Sequence, residues 1–276
     1  MIKPNTRDKL KKFRLFGVVF FAVSIMACSC PFSQFGRLFL GKTNENESWQ
    51  AAVDEIREMT RGQSVPADLG DPDDPVSVGG FDPNRLLTPL NHLQIQEGKV
   101  LDFVYWYDGM GGLPVLYVRE EGEASFESYQ AYKTATSEDE SNSTYLDYIV
   151  GDGTEEGYFQ WVVLQMMGDQ FYLFWHANYN DAEIIASQSR LEEVVDNLSD
   201  TEFGYPLSAS EKQQALKLDP APEVEIMEDK VTVRVLWFTK WGGFYETVYT
   251  LTASAPYQII DSQSEQLIPY ECGVMF

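Results

Sequence analysis

The spacing of hydrophobic positions changes along this chain, and each spacing predicts a different kind of element. Over residues 48–61 apolar side chains recur every three to four residues, which predicts a helix that Gly62 ends. From about Leu93 the spacing becomes two residues, which is typical of strands with one buried face. We expect strands over 93–97, 99–107, 113–119, 144–150, 157–166, 170–179, 223–228, 230–239, 244–252 and, in pieces, 257–271.

Helical spacing returns in two later segments. Residues 187–198 place four apolar side chains on one face, which predicts a helix with these positions inward: Leu191, Val194, Val195 and Leu198. A second helix, over 209–218, follows Ser208, which forms a capping-box pattern with Glu211. Gly168 and Asp169 separate two apolar runs and predict a tight hairpin turn, whereas residues 120–143 are polar and predict irregular structure.

Two segments, 95–112 and 226–243, resemble each other at a constant offset of 131 residues, with eight of 18 positions identical. This similarity favours an internal duplication of a strand–turn–strand unit, with reuse of common turn chemistry as the alternative. The matched apolar residues share one strand face in each copy, which predicts that this face is core: Val100, Val104 and Trp106, and Val231, Val235 and Trp237. Gly98 or Asp229, and the pairs 111–112 and 242–243, would supply positive φ at turns.

These patterns together predict an α+β fold of antiparallel β-meanders with helices packed on one face. A helix precedes each meander, and a helix laid on an antiparallel sheet is a two-layer unit. We expect two related units, at 48–200 and 201–276, with a single fused sheet as the alternative.

The first 27 residues have the organisation of a secretory signal. Six basic residues and one acidic residue precede 13 uncharged residues, 15–27. A bilayer-spanning helix needs about 20 apolar residues, so this run is short for a permanent span. We therefore interpret residues 1–27 as a signal peptide, with an uncleaved anchor and ordinary secretion as the alternatives.

The end of the apolar run, Ile25-Met26-Ala27-Cys28, resembles the lipobox of bacterial lipoproteins. The resemblance covers the first 28 residues, and Met26 departs from the small or β-branched residue that is more usual there. It implies that Cys28 is joined to lipid and becomes the mature N-terminus, followed by a polar tether over 28–47. Two or more acyl chains suffice for stable membrane anchoring. Cys30 and Cys272 then remain as the pair available for a disulfide in an oxidising compartment.

The chain is strongly acidic, and this limits its partners. Its 276 residues include 43 acidic and 20 basic ones, and removal of residues 1–27 leaves 42 and 14. Such a surface repels phosphate backbones, so we expect no nucleic-acid binding. We expect the lipid on Cys28 to hold the body on a membrane, with another envelope component as a further partner.

Catalytic motifs are absent from the sequence: it has no G-x-S-x-G, S-x-x-K or H-E-x-x-H pattern. The two histidines, His92 and His176, are too few for a histidine-rich metal site. Among the acids, residues 152–156 form the most suggestive cluster, although they first predict a turn between strands. The acidic run that contains Asp68, Asp71, Asp73 and Asp74 offers oxygen ligands of the kind calcium prefers, although it lacks the spacing of a known calcium-binding loop.

Aromatic residues near the repeated turns are candidates for stacking on sugar rings, namely Tyr105, Tyr107, Trp241 and Tyr245. Strand aromatics are more often core or cross-strand partners. We expect a non-enzymatic, membrane-anchored envelope lipoprotein that binds or supports another component and needs no cofactor. The alternatives are an exported hydrolase with a carboxylate pair and a carbohydrate-binding module.

Overall fold

The computed structural model describes residues 33–66, 80–136, 144–199 and 204–273, and in the first helix it describes side chains from residue 46 onward. Five α-helices lie in these ranges: α1 (Ser33–Thr60), α2 (Tyr129–Thr136), α3 (Glu155–Met167), α4 (Gln188–Ser199) and α5 (Ala209–Ala215). Short 3-10 helices occupy Pro83–Leu87, Tyr145–Tyr148 and His176–Tyr179.

The strands of the described residues form three antiparallel sheets. They are β1 (Leu93–Ile95), β2 (Lys99–Tyr107), β3 (Gly111–Glu120), β4 (Ile149–Gly151), β5 (Phe174–Trp175), β6 (Glu183–Ile185), β7 (Glu223–Ile226), β8 (Lys230–Thr239), β9 (Gly243–Thr252) and β10 (Ile259–Pro269). The largest sheet has the order β10-β9-β8-β6, and β7 pairs with the first half of β8 on the same side as β6. The others are β2-β3-β5 and β1-β4. The predicted α+β class is therefore confirmed.

Helices cover both faces of the largest sheet. Val231, Val233 and Val235 of β8 belong to a larger core that includes much of α3, whereas Leu236 belongs to a smaller core with residues of α4 and α5. Because successive strand residues point to opposite faces, α3 lies on one face of the sheet and the α4–α5 pair on the other.

The larger core combines residues from both sides of position 200. Trp49 and Phe159, whose rings stack 4.9 Å apart, belong to the same core as Val233 and Leu251. Strand β6, which precedes position 200, pairs with β8, which follows it. The ranges 48–200 and 201–276 thus share a sheet and a core.

The prediction of a strand over 157–166 was wrong, because these residues form most of α3. The helix begins after Thr154, whose hydroxyl accepts a hydrogen bond from the Gly157 amide at 3.1 Å. Residues 157–164 are all buried. A helix that is buried on every side lacks the alternation of apolar and polar faces by which a helix is recognised in a sequence. Gly168 is consequently the C-cap of α3 and not part of a hairpin turn.

Other strand predictions near α3 were wrong as well. Residues 144–150 are mainly a 3-10 helix followed by β4, and within 170–179 the only strand is the two-residue β5. The polar segment 120–143 contains α2. The helix predicted at 187–198 and the capping box of Ser208 and Glu211 are confirmed. The helix predicted at 48–61 is the second half of α1, which begins at Ser33, within the range expected to be a polar tether.

The two similar segments share an antiparallel hairpin but differ around it. Strand β7 pairs with β8, whereas its counterpart β1 pairs with β4. Four residues, 108–111, separate the last paired positions of β2 and β3, and three, 240–242, separate those of β8 and β9. Positive φ occurs at Gly98, as expected, and at Gly243, but not at Asp229.

The predicted core face is confirmed for β8 and wrong for β2. Val231 and Val235 lie in the larger core and Trp237 packs against it, but in β2 that core receives Leu101, Phe103 and Tyr105. Val104 is buried on the opposite face, and Trp106 is half-buried. Because β2 is apolar at most positions, its sequence does not reveal which face is inward.

Candidate functional site

His92 lies between two carboxylates at the N-terminus of α3. Its Nδ1 is 2.7 Å from Asp152 Oδ2, and its Nε2 is 3.3 Å from Glu156 Oε2. Although partial burial opposes the shift, hydrogen bonds from Thr154 and His92 lower the pKa of Asp152. The suggestive cluster 152–156 therefore forms the connection between β4 and α3, rather than a turn between two strands.

This cluster does not have the geometry of a nucleophile–histidine–acid relay. In such a relay the acid and the nucleophile contact opposite ring nitrogens. Here Thr154 Oγ1, 3.3 Å from Nδ1, and Asp152 contact the same nitrogen of His92. The Thr154 hydroxyl also accepts the Gly157 amide as a helix cap. The arrangement ties β1 and β4 to the start of α3 and offers no activated nucleophile.

A cleft of about 480 Å³ lies where the end of α1 meets the 170–183 segment and the β8–β9 turn. Its lining is rich in amides and charged groups and includes Arg61, Gln63, Gln170, Asn178, Asn180, Asp181, Glu183 and Lys240. The sequence did not indicate this cleft, because its residues come from distant, mainly irregular segments.

Glu183 lines the cleft, where burial raises the pKa of its carboxyl and the positive charges of Arg57 and Arg61 oppose that shift. Its side chain is 7% exposed and accepts hydrogen bonds from Arg57 at 3.1 Å, Arg61 at 2.6 Å and Arg190 Nε at 2.6 Å. Arg190, also 7% exposed, forms a second ion pair with Glu193. These ion pairs join α1, β6 and α4 through one carboxylate. Because both Glu183 oxygens are paired with cations, neither is positioned to accept a proton from a substrate.

Asp181 is the second carboxylate of the cleft. Burial raises its pKa, although hydrogen bonds from the Thr239 hydroxyl and the Lys240 amide oppose the shift. A raised carboxyl pKa in a cleft is a feature of catalytic acids. Both oxygens of Asp181 nevertheless hold the β8–β9 turn, so its hydrogen bonds have a structural purpose.

Gln170 has a buried acceptor atom at the wall of the cleft. The residue is 2% exposed, and its Nε2 donates to the carbonyls of Met166 at 3.0 Å and Ala182 at 2.8 Å. Its Oε1 has no hydrogen-bond partner among the described residues. Buried acceptors are nearly always satisfied by protein, water or ligand, but this oxygen is itself closed to solvent and belongs to the interior behind the cleft wall.

An exposed aromatic surface adjoins the cleft; we name it the aromatic edge and define it as Phe174, Trp175, His176, Tyr179 and Trp241. The rings of Trp175 and His176 stack at 5.2 Å, those of His176 and Tyr179 at 6.1 Å, and Tyr179 lies 4.5 Å from Trp241. Phe174 is 38% exposed, Trp175 57% and Tyr179 43%.

Two contacts join the aromatic edge to the cleft. Trp241 Nε1 donates to the Asn178 carbonyl at 3.0 Å, and Lys240 Nζ lies 5.0 Å from the centre of a Trp241 ring. Asn178 and Lys240 both line the cleft. The aromatic rings of the edge and the hydrogen-bonding groups of the cleft therefore lie next to each other, where the β5 segment meets the β8–β9 turn.

The backbone is strained on both sides of this junction. Trp175 has φ 43° and ψ −107°, and Tyr172, which lines the cleft, has φ 51°. Such values are rare for bulky residues and cost about 1–3 kcal/mol, and they concentrate at functional sites. The strain supports a functional role for the 172–175 segment.

The aromatic candidates from the sequence divide between this site and the interior. Trp241 belongs to the aromatic edge, and Tyr107 contacts it through Phe174, with ring centroids 5.7 Å apart. Tyr105 is buried and donates its hydroxyl to the Tyr172 carbonyl at 2.9 Å. Tyr245 stacks on Trp237 at 4.6 Å as a cross-strand partner.

Several predicted features lie outside the described residues. These are the lipidation residue Cys28, the signal peptide, Cys30 and the acidic run with Asp68, Asp71, Asp73 and Asp74. Within the part of the chain that is described, no helix combines the length and apolar character needed to cross a bilayer. The same part contains no cluster of three His, Cys, Asp or Glu residues suited to a metal ion.

Comparison with known proteins gives no relative: no family model, curated protein or solved structure matches this chain.

Proposed function

We propose that this chain is a non-enzymatic binding module, held on a membrane by lipid on Cys28, that binds its partner through the aromatic edge and the adjoining cleft. The observation that supports the binding role most directly is the exposure of Trp175 and Tyr179, whose rings are joined in one surface through His176. Contiguous exposed apolar side chains rimmed by polar groups mark interaction sites. Strain at Trp175 adds support, because a folded chain has no structural need to strain an exposed tryptophan.

The anchoring part of the proposal rests on the lipobox resemblance and on charge. After removal of residues 1–27 the body has 42 acidic and 14 basic residues, a formal charge of −28, and is repelled by an anionic bilayer, so an acyl chain would hold it where electrostatics would not. Intact mass of the chain from its native host, with Cys28→Ala beside it, tests the anchor. We expect a mature N-terminus at Cys28 with two or three acyl chains, and loss of that species in the variant. A retained Met1 or an unmodified Cys28 would contradict the anchor.

The binding part is tested by retention of the full chain on envelope material of its host after detergent has dissolved the bilayer that holds the lipid anchor. We expect Trp175→Ala to reduce retention at least about tenfold. Tyr205→Ala is the matched control, because Tyr205 is 67% exposed and is not part of the aromatic edge. Equal retention of the two variants would remove the aromatic edge from the proposed function.

A hydrolase with a carboxylate pair is the second candidate, and one observation favours it. Asp181 and Glu183 line the same cleft, and burial raises the pKa of Asp181. We prefer binding because Glu183 is paired with three arginines. Hydrolysis of an envelope polymer that stops in Asp181→Asn, while the variant keeps its fold, would establish the enzyme instead.

A further inference from the structure

We propose that the occupant of the cleft and aromatic edge is a carbohydrate chain, with a sugar ring on Trp175 or Tyr179 and hydroxyl or acetamide groups in the cleft. This inference rests on the binding role proposed above and adds the chemical class of the ligand. Its basis is the combination of exposed aromatic faces with fixed amide groups, since each alone would suit many ligands.

The aromatic edge supplies the apolar half of such a site. A pyranose ring presents C–H groups on its faces and hydroxyls around its rim, so it packs on an aromatic ring while the rim stays hydrogen-bonded. Trp175 is the most exposed ring of the edge, and its stacking on His176 at an interplanar angle of 13° fixes its orientation. A ring held in place loses little side-chain entropy on binding.

The cleft supplies the polar half, and its amides are held by the protein. Asn180 Nδ2 donates to Asp169 Oδ1 at 2.9 Å, and Gln63 Nε2 donates to the Met59 carbonyl at 3.1 Å. Amides held in this way present oriented groups to hydroxyl and acetamide partners.

Other ligand classes fit these groups less well. A nucleic acid would be repelled by the acidic chain. An acyl chain or bilayer core offers no hydrogen-bonding groups to the amides and charged side chains that line the cleft. A sugar offers several donors at every ring.

The test is calorimetric titration of the full chain in detergent with two neutral probes. One is the β-1,4-linked tetramer of N-acetylglucosamine, and the other is the β-1,4-linked tetramer of glucose, which lacks acetamides. We expect at least one to bind with millimolar affinity or better. Trp175→Ala or Tyr179→Ala should weaken that binding about tenfold, while Tyr205→Ala should leave it unchanged.

A spectroscopic readout tests the cleft separately. We expect the side-chain amide resonances of Asn180 to shift on addition of the bound sugar, because this partly exposed amide lines the cleft. Gln165 is the internal control, since its side-chain amide does not line the cleft. Binding with no shift at Asn180, or with equal shifts at both residues, would contradict the placement.

The outcomes separate this inference from the proposed function. If neither tetramer binds at about 10 mM while envelope retention still depends on Trp175, the carbohydrate assignment is wrong and the binding role stands. If retention is also independent of Trp175, both are wrong. Trp175-dependent binding to phosphatidylcholine vesicles, without sugar binding, would assign the edge to a lipid surface and overturn the inference.

Discussion

Trp175 occupies a backbone conformation that suits glycine. Its φ of 43° and ψ of −107° are near those of the first central residue in a type II′ turn, where glycine is preferred. The residue pairs with Gly111 of β3, so it is fixed by the sheet while its side chain is 57% exposed. A large, strained, exposed side chain contributes little to folding, which is why we assign its role to binding.

We predict that Trp175→Gly stabilises the fold and abolishes binding. Glycine relieves strain of about 1–3 kcal/mol, whereas Trp175→Ala retains most of it. In denaturant unfolding, the free energy of unfolding of Trp175→Gly should therefore be higher than that of Trp175→Ala and that of the parent chain. Both variants should be defective in sugar binding. A Trp175→Gly variant less stable than Trp175→Ala would show that the conformation is not strained.

A second prediction concerns Asp169, whose pKa is raised by burial despite a hydrogen bond from Asn180. Because the folded pKa exceeds the unfolded value of about 3.9, ionisation destabilises the fold as pH rises through the folded pKa, and the penalty is absent below about pH 4. Asp169→Asn should thus raise the melting temperature at pH 7 but not near pH 3.5. An equal gain at both pH values would contradict this account.

The Glu183 cluster gives a third prediction. Glu183→Gln leaves the buried Arg190 partly unpaired and should cost about 3–5 kcal/mol in the free energy of unfolding, measured by urea titration. Lys212→Met is the control, because the Lys212–Asp196 ion pair is exposed and should change stability little. Similar effects of the two substitutions would mean that the buried cluster contributes no more than a surface pair.

Sequence reasoning found part of the site at the level of residues. Trp241 and Tyr107 were candidates because they flank the repeated turns, and both lie at or beside the aromatic edge. Gln170 and Asp181 could not be found, because an amide or a carboxylate in an irregular segment has no periodic signal. Trp175 lies in an aromatic run that predicts a strand, and only the backbone angles distinguish it.

At the scale of elements, α3 shows how complete burial hides a helix. Its sequence is rich in aromatic and β-branched residues, which favour strands, yet the helix lies between α1 and the largest sheet. The amphipathic α4 has a clear apolar stripe and was predicted nearly to the residue. The elements easiest to predict are thus those with one exposed face.

The turn between β8 and β9 gives a prediction at this scale. Gly243 has φ 103°, and a Cβ built there would lie 2.1 Å from the Ile268 carbonyl oxygen and 2.7 Å from the Tyr270 amide nitrogen. Gly243→Ala must therefore displace β10 as well as strain the backbone. Gly122→Ala, at φ 93° in open space, isolates the backbone contribution of about 1–2 kcal/mol.

We expect Gly243→Ala to lower the urea midpoint clearly more than Gly122→Ala. Its amide hydrogens in β10 should also exchange faster, because the β9–β10 pairing is disturbed. Equal midpoints would show that β10 adjusts to the added carbon without cost.

At the scale of the whole molecule, the α+β class followed from periodicity, but the arrangement of sheets did not. Strand β8 pairs with β6, β7 and β9, and only the pairings with β7 and β9 are between neighbours in sequence. The pairing with β6 joins the chain across position 200 and places the β8–β9 turn beside the 170–183 segment. The cleft exists because of this long-range contact, which no local pattern predicts.

The central claim is that the aromatic edge is the surface this protein uses in its native setting. Site-specific photo-crosslinking in the host tests it most directly, with a benzophenone amino acid at position 179 and, as the control, at position 205. We predict a discrete higher-mass adduct from position 179 that is absent from position 205. No adduct at 179, or the same adducts from both positions, would contradict the claim.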